Sequence, residues 1–249
     1  MKESSYNMNE EKSILKWAGL AGIVGVFTSI LSLTIDLTIV PIFVATESGS
    51  SCGPPCVVDA SLLGFPSVKA SVAAANVFYF LSIIFFAILF LGLYRALRVG
   101  GSLGPALFGT GVCLMGLVLL GAGALPSVAF AHLSEVYHAA GTTSQDQTTL
   151  VLVSHGVQAI FNETDTVGGY LLAAGLAMFG LAMFQNSSFG KRLGGATIVL
   201  SAVALVGISL VSVALDNPND PFFVILVLVL PLVLGLKLYR LSKILGRAT

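Results

Sequence analysis

Residues 155–184 read H-G-V-Q-A-I-F-N-E-T-D-T-V-G-G-Y-L-L-A-A-G-L-A-M-F-G-L-A-M-F. The last eighteen, 167–184, carry no charge and consist of apolar and small residues. That length approaches the ~20 residues a helix needs to cross a hydrocarbon core ~30 Å thick. The residues before it differ. His155, Gln158, Asn162 and Asp165 stand at offsets 0, 3, 7 and 10, which place them on one face of a helix. A polar stripe therefore runs down to the mouth of a membrane span.

Working outward, the same pattern repeats. The chain has 249 residues, 56% hydrophobic and 10% charged, where a soluble domain carries about 25% charged residues. Apolar runs tile it at about 17–40, 73–93, 105–126, 166–184, 195–215 and 222–241. The first run is too long for a cleavable signal core and is read as a retained anchor. The predicted fold class is all-α: a polytopic membrane protein, a compact bundle of six transmembrane helices over residues 14–245. Residues 1–13 and 246–249 are read as cytoplasmic tails.

Lys and Arg set the expected orientation. With the N-terminus inside, eleven of the twelve fall on inner segments, among them Lys16, Arg95, Arg98, Lys191, Lys237 and Arg240. Lys69 alone falls outside. The positive-inside rule then predicts both termini in the cytoplasm of a cell-membrane protein. Net charge is zero and no basic patch is interleaved with aromatics, so nucleic acid is excluded as a partner. The implied partner is the lipid bilayer; oligomeric state is not legible.

Small residues forecast the packing. Gly109, Cys113, Gly116 and Gly123 share one face of the third span, and Gly19, Gly22 and Gly25 cluster on the first. Such residues let helix backbones approach where no hydrophobic effect drives association. A bundle without a wide aqueous pore is expected.

Counting ~20 residues outward from each inner boundary gathers Asp36, Asn76, Asp165 and Asn217 at the outer face. One reading is an outward-facing polar pocket built from Asp36, Asn76, His155, Gln158, Asn162 and Asp165, with Asn162 and Asp165 turned inward. The other is helix capping, in which Asn76, Asp165 and Asp220 satisfy free N–H groups where spans two, four and six begin. Asp220 followed by Pro221 fits an N-cap with Pro at the first helical position. Asp36 resists that account, because it lies toward the C-terminal end of its span, where the dipole disfavours a carboxylate. Thr28, Ser32 and Asp36 share a face, and an intramembrane acid marks a functional position. Its alternative role is an ion pair with Lys69.

The remaining motifs are weaker. His155 and Asp165 are the best metal-ligand candidates, but no H-E-x-x-H occurs and no two His are spaced i, i+4, so no metal or other cofactor is expected. Cys52 and Cys56 enclose G-P-P in the outer loop, where a stapling disulfide is expected. The spacing is one residue too long for a redox C-x-x-C.

The layout resembles a prokaryotic family of six-span membrane proteins with no assigned function. The shared features are the Gly-rich first span, the second span ending L-Y-R-A-L at 93–97, a long third-to-fourth outer loop with a polar helix, and the basic end of the sixth span. The resemblance covers residues 14–245 and implies no active residues. The functional expectation is a non-enzymatic membrane protein whose outer pocket binds a lipid or small molecule or serves a partner protein. A small transporter using Asp36 and Asp165 comes next, and a metal-dependent or redox intramembrane enzyme last.

Overall fold

The computed structural model describes residues 2–39, 54–99, 102–214 and 221–245. Among these the chain is all-helical, without strands. Helix α1 (Lys2–Thr34) runs into a short π-helical segment, π1 (Ile35–Ile39). Then come α2 (Pro54–Val99), α3 (Leu103–Gly123), α4 (Leu125–Tyr137), α5 (Ser144–Gln185) and α6 (Lys191–Ala214). The last strip is α7 (Pro221–Val224), a second π segment, π2 (Ile225–Val229), and α8 (Leu230–Leu245). Six of the helical stretches are long and apolar enough to cross a membrane.

These stretches close into a ring. α1 packs on α2 and α8, α2 on α3, α3 on α5, α5 on α6, and α6 on α7 and π2. The middle is filled from α2 and α5, where the fully buried Phe90 and Phe179 stack with centroids 5.9 Å apart. The outside is apolar as well. Phe27, Val118 and Leu210 are each more than 60% exposed, a surface suited to hydrocarbon rather than water.

Close approach explains the small residues. A methyl group added at Gly109 would stand 2.9 Å from the Gly175 carbonyl oxygen, and one at Gly116 would stand 3.0 Å from that of Gly168. The α3–α5 seam is therefore backbone against backbone, the arrangement lipid-embedded helices use to gain dispersion contact. Gly19 and Gly22 bring α1 onto Gly235 of α8 in the same way.

The helices exceed the apolar spans. α2 has 46 residues and α5 has 42, about 69 and 63 Å at 1.5 Å per residue, twice a hydrocarbon core. The extra turns form a helical cap with α4, which packs on both. Leu62 and Val68 of α2 are buried in it, and Ser134 of α4 donates to the Leu62 carbonyl at 2.8 Å. This corrects two sequence expectations. The stretch up to Lys69, read as an outer loop, is helical from Pro54; prolines fit a first turn, whose N–H groups have no intrahelical acceptor. The long loop expected between the third and fourth spans shrinks to 138–143. There Thr143 and Asp146 form a reciprocal capping box, and Asp146 accepts from both the backbone N–H and the hydroxyl of Thr143. α1 likewise starts at Lys2, inside the segment read as a tail.

Candidate functional site

The bundle has an end marked by acids and an end marked by bases. Lys237 lies over the Phe189 ring, and a cavity nearby is lined by Glu11, Arg95, Ser188 and Leu241, which defines the basic end. The acidic end holds Asp36 on π1 and Asp165 on α5.

Asp165 projects from α5 across to α3. A methyl at Gly123 would stand 2.8 Å from Asp165 Oδ1, so the absence of a side chain there makes room for the carboxylate. That oxygen is buried and has no hydrogen-bond partner among the described residues. Tyr79 of α2 closes the third side. Its hydroxyl donates to the Leu120 carbonyl of α3 at 3.2 Å, and both Asp165 and Asp36 act electrostatically on it. Asp36 accepts a hydrogen bond from the buried Ser32, one turn back on α1, while its own side chain is exposed. Thr28, one turn further back, turns its hydroxyl onto the carbonyls of Val24 and Gly25. The polar face of the first helix thus leads to Asp36 and stops there.

Asn76 stands one turn before Tyr79 on α2 and is half-buried. Both Asn76 and Asp165 lie well inside continuous helices, so neither caps a helix start, and the capping account fails for them. Asn217 and Asp220 lie outside the described residues.

The stripe on α5 is a single helical face, as its spacing requires. Gln158 donates to Asn162 at 2.9 Å. His155, Gln158, Asn162 and Asp165 are all half-buried, whereas Glu163 between them is exposed. His155 and Asp165 are ten residues apart on one unbroken helix, about 15 Å along its axis. That separation is too long for the two side chains to share one ion. Among the described residues no group of three or more His, Cys, Asp or Glu could hold a metal. His132 is exposed on α4, and His138 turns its Nδ1 to the Ser134 carbonyl at 2.8 Å.

Lys69 is ion-paired with Glu135 of α4. It makes no ion pair with Asp36, the partner the sequence offered it, because the cap brings α4 alongside α2 at that level. Cys52 and the side chain of Cys56 lie outside the described residues; among the described ones Cys113 is a free, buried thiol.

The residue that reading the sequence missed is Tyr79. The signal available was a hydroxyl at i+3 from Asn76 in a stretch otherwise made of Val and Phe, and a buried phenol needs an acceptor. No family model, curated protein or solved structure matches this chain. Of the layout expected from the sequence, the structure holds six helices long and apolar enough to cross a membrane.

Proposed function

We propose that this chain is an integral protein of the cell membrane with both termini in the cytoplasm, and that its acidic end is an outward-facing binding site. The occupant this chemistry suits is a small cation or an amine-bearing small molecule or lipid headgroup, held without chemical conversion. The observation that carries the reading is the Asp165 oxygen, buried against Gly123 with no donor among the described residues. Burying such an oxygen costs free energy unless a proton, a cation or a ligand's N–H meets it. Asp36 and Asp165 both act electrostatically on Tyr79, so side chains of three helices bear on this end of the bundle. Orientation rests on the eleven-to-one distribution of Lys and Arg.

The test is binding by purified full-length protein in lipid nanodiscs. Thermal stability is measured against sodium, potassium and a set of small primary and quaternary amines, for the wild type and for Asp165→Asn. At least one of these ligands is expected to raise the wild-type Tm and to leave the variant unmoved. No stabilisation by any of them, or equal stabilisation of both proteins, overturns the reading.

A second reading, a small transporter coupled to an ion at Asp36 and Asp165, is favoured by one observation: Asp36 sits in a π-helical segment. A break in α-helical register frees backbone carbonyls and is frequent at functional sites. Uptake of the stabilising ligand into proteoliposomes separates a carrier from a receptor.

A further inference from the structure

We infer that the basic end of the bundle holds an anionic glycerophospholipid in a groove between α1 and α2. The groove encloses about 730 Å³. Its floor is the point where Gly92 of α2 meets Ala18 of α1; no side chain larger than a hydrogen fits at Gly92. Its walls are apolar, from Ile14 on one side and Ile88 and Leu91 on the other, and Ile88 and Leu91 are 41% and 51% exposed. Its rim carries Arg95 and Arg98, with one carboxylate, Glu11, opposite.

Charge and depth together select the occupant. Arg95 and Arg98 share the rim with Glu11, and Glu10 lies beside Arg95, which leaves the Arg98 guanidinium as the unpaired charge. Arg98 has no ion-pair partner among the described residues, and Arg95 reaches Glu10 only at 3.9 Å, with both side chains about half exposed. A second cavity of about 230 Å³, against Phe189 and Leu241, also borders Arg95. Guanidinium forks suit phosphate oxygens, which accept two parallel N–H bonds. From Ile88 to Arg98 is ten residues of α2, about 15 Å along the axis, the thickness of one hydrocarbon leaflet. A free phosphate has no use for that apolar wall, whereas an acyl chain below a phosphodiester fills it. Trp17, 65% exposed one turn from Ile14, stands where indole rings mark headgroup level. The inference rests on the membrane reading above and is independent of the acidic site.

The experiment uses full-length protein purified from membranes washed with alkaline carbonate, then analysed by native mass spectrometry. Phosphatidylglycerol and phosphatidylcholine with identical acyl chains are titrated separately, with inorganic phosphate as a third ligand. Phosphatidylglycerol is expected to bind more tightly than phosphatidylcholine and to raise the Tm, with inorganic phosphate doing neither. Arg95→Gln with Arg98→Gln should cost about fivefold in phosphatidylglycerol affinity per arginine, and Lys at both positions should restore part of it. Arg98→Gln alone, at an exposed position, keeps the test valid if the double variant fails to fold. Ile88→Trp fills the groove without touching charge and should lower affinity for the same lipid. Equal affinity for the two lipids, unchanged binding in the arginine variants, equal stabilisation by inorganic phosphate, or a dimer that Ile88→Trp disrupts would each overturn the lipid site. Release of the chain by the carbonate wash would overturn the membrane reading beneath it.

Discussion

The two ends of the bundle hold their charges in opposite ways. At the basic end the cations ride on long stems over aromatic rings: Lys191 over Phe184, Lys237 over Phe189 and Lys243 over Tyr239, at 4.8–5.9 Å from the centroids. Their stems cover apolar surface while the heads reach water. An aspartate has no such stem. At the acidic end Asp165 stays where α5 puts it, against Gly123, with one oxygen buried and without a donor among the described residues. The basic end thus leaves its cations in contact with water, and the acidic end holds a buried oxygen whose cost a proton, a cation or an N–H donor would relieve.

The seam that aims Asp165 should be the most fragile feature. A methyl at Gly175 would stand 2.7 Å from the Cys113 backbone nitrogen and 2.9 Å from the Gly109 carbonyl oxygen. Neither contact yields without shifting a helix, so Gly175→Ala should cost about 1–3 kcal/mol. Gly156, on the same helix but with nothing within 4 Å, is the control. There Ala should be neutral or stabilising by about 0.5–1 kcal/mol. Reversible unfolding in detergent micelles measures both, and equal effects would mean that α3 and α5 are not in backbone contact.

Next in size is the contrast between the ends themselves. In ligand-free protein Asp165→Asn should raise stability by about 1 kcal/mol or more, because it removes a buried charge that lacks a donor. Arg98→Gln at the basic end should stay within about ±0.5 kcal/mol, as surface substitutions do. Loss of stability in Asp165→Asn without any added ligand would reveal a partner for the carboxylate and erase the asymmetry.

Much of this was legible beforehand, for identifiable reasons. The apolar runs and the face shared by Gly109, Cys113, Gly116 and Gly123 are local patterns, and local patterns survive folding. The stripe from His155 to Asp165 is local too. Other features depend on chain remote in sequence. Asp165 meets Gly123, and Lys69 meets Glu135 sixty-six residues away; no periodicity reports such pairs. The π register at Asp36 has no sequence signature. The cap was hidden for a different reason: Pro54, Pro55, Pro66 and Pro126 punctuate its helices, and such prolines read as loop. Yet T-S-Q-D at 143–146 carries the capping-box pattern that announces the start of α5.

That cap packs beside the acidic end, and a buried cross-link within it is testable. Ser134→Ala removes the donor to the Leu62 carbonyl in a site where both residues are buried. The expected loss is about 0.5–1.5 kcal/mol, together with faster hydrogen exchange in α4 and in the first turns of α2. Unchanged exchange in α4 would mean that the cap is held by apolar packing alone.

The smallest effect should come from Lys69, the one Lys or Arg at the acidic end among the described residues. Lys69 and Glu135 are both more than half exposed, and a solvated pair of long side chains gains little after screening and lost side-chain freedom. Lys69→Ala is therefore expected to leave the Tm within measurement error at 150 mM salt. Had Lys69 served Asp36 instead, the same change would strand an intramembrane acid. Its loss would then be large, and Asp36→Asn would restore part of it. The double-mutant cycle between positions 69 and 36 decides the matter. Additivity leaves Asp36 to its Ser32 hydrogen bond and to whatever occupies the site; a coupling well above the error makes Lys69 the counter-ion that keeps cations out. The second outcome would narrow the difference between the two ends, leaving Asp165 as the acid whose buried oxygen has no donor among the described residues.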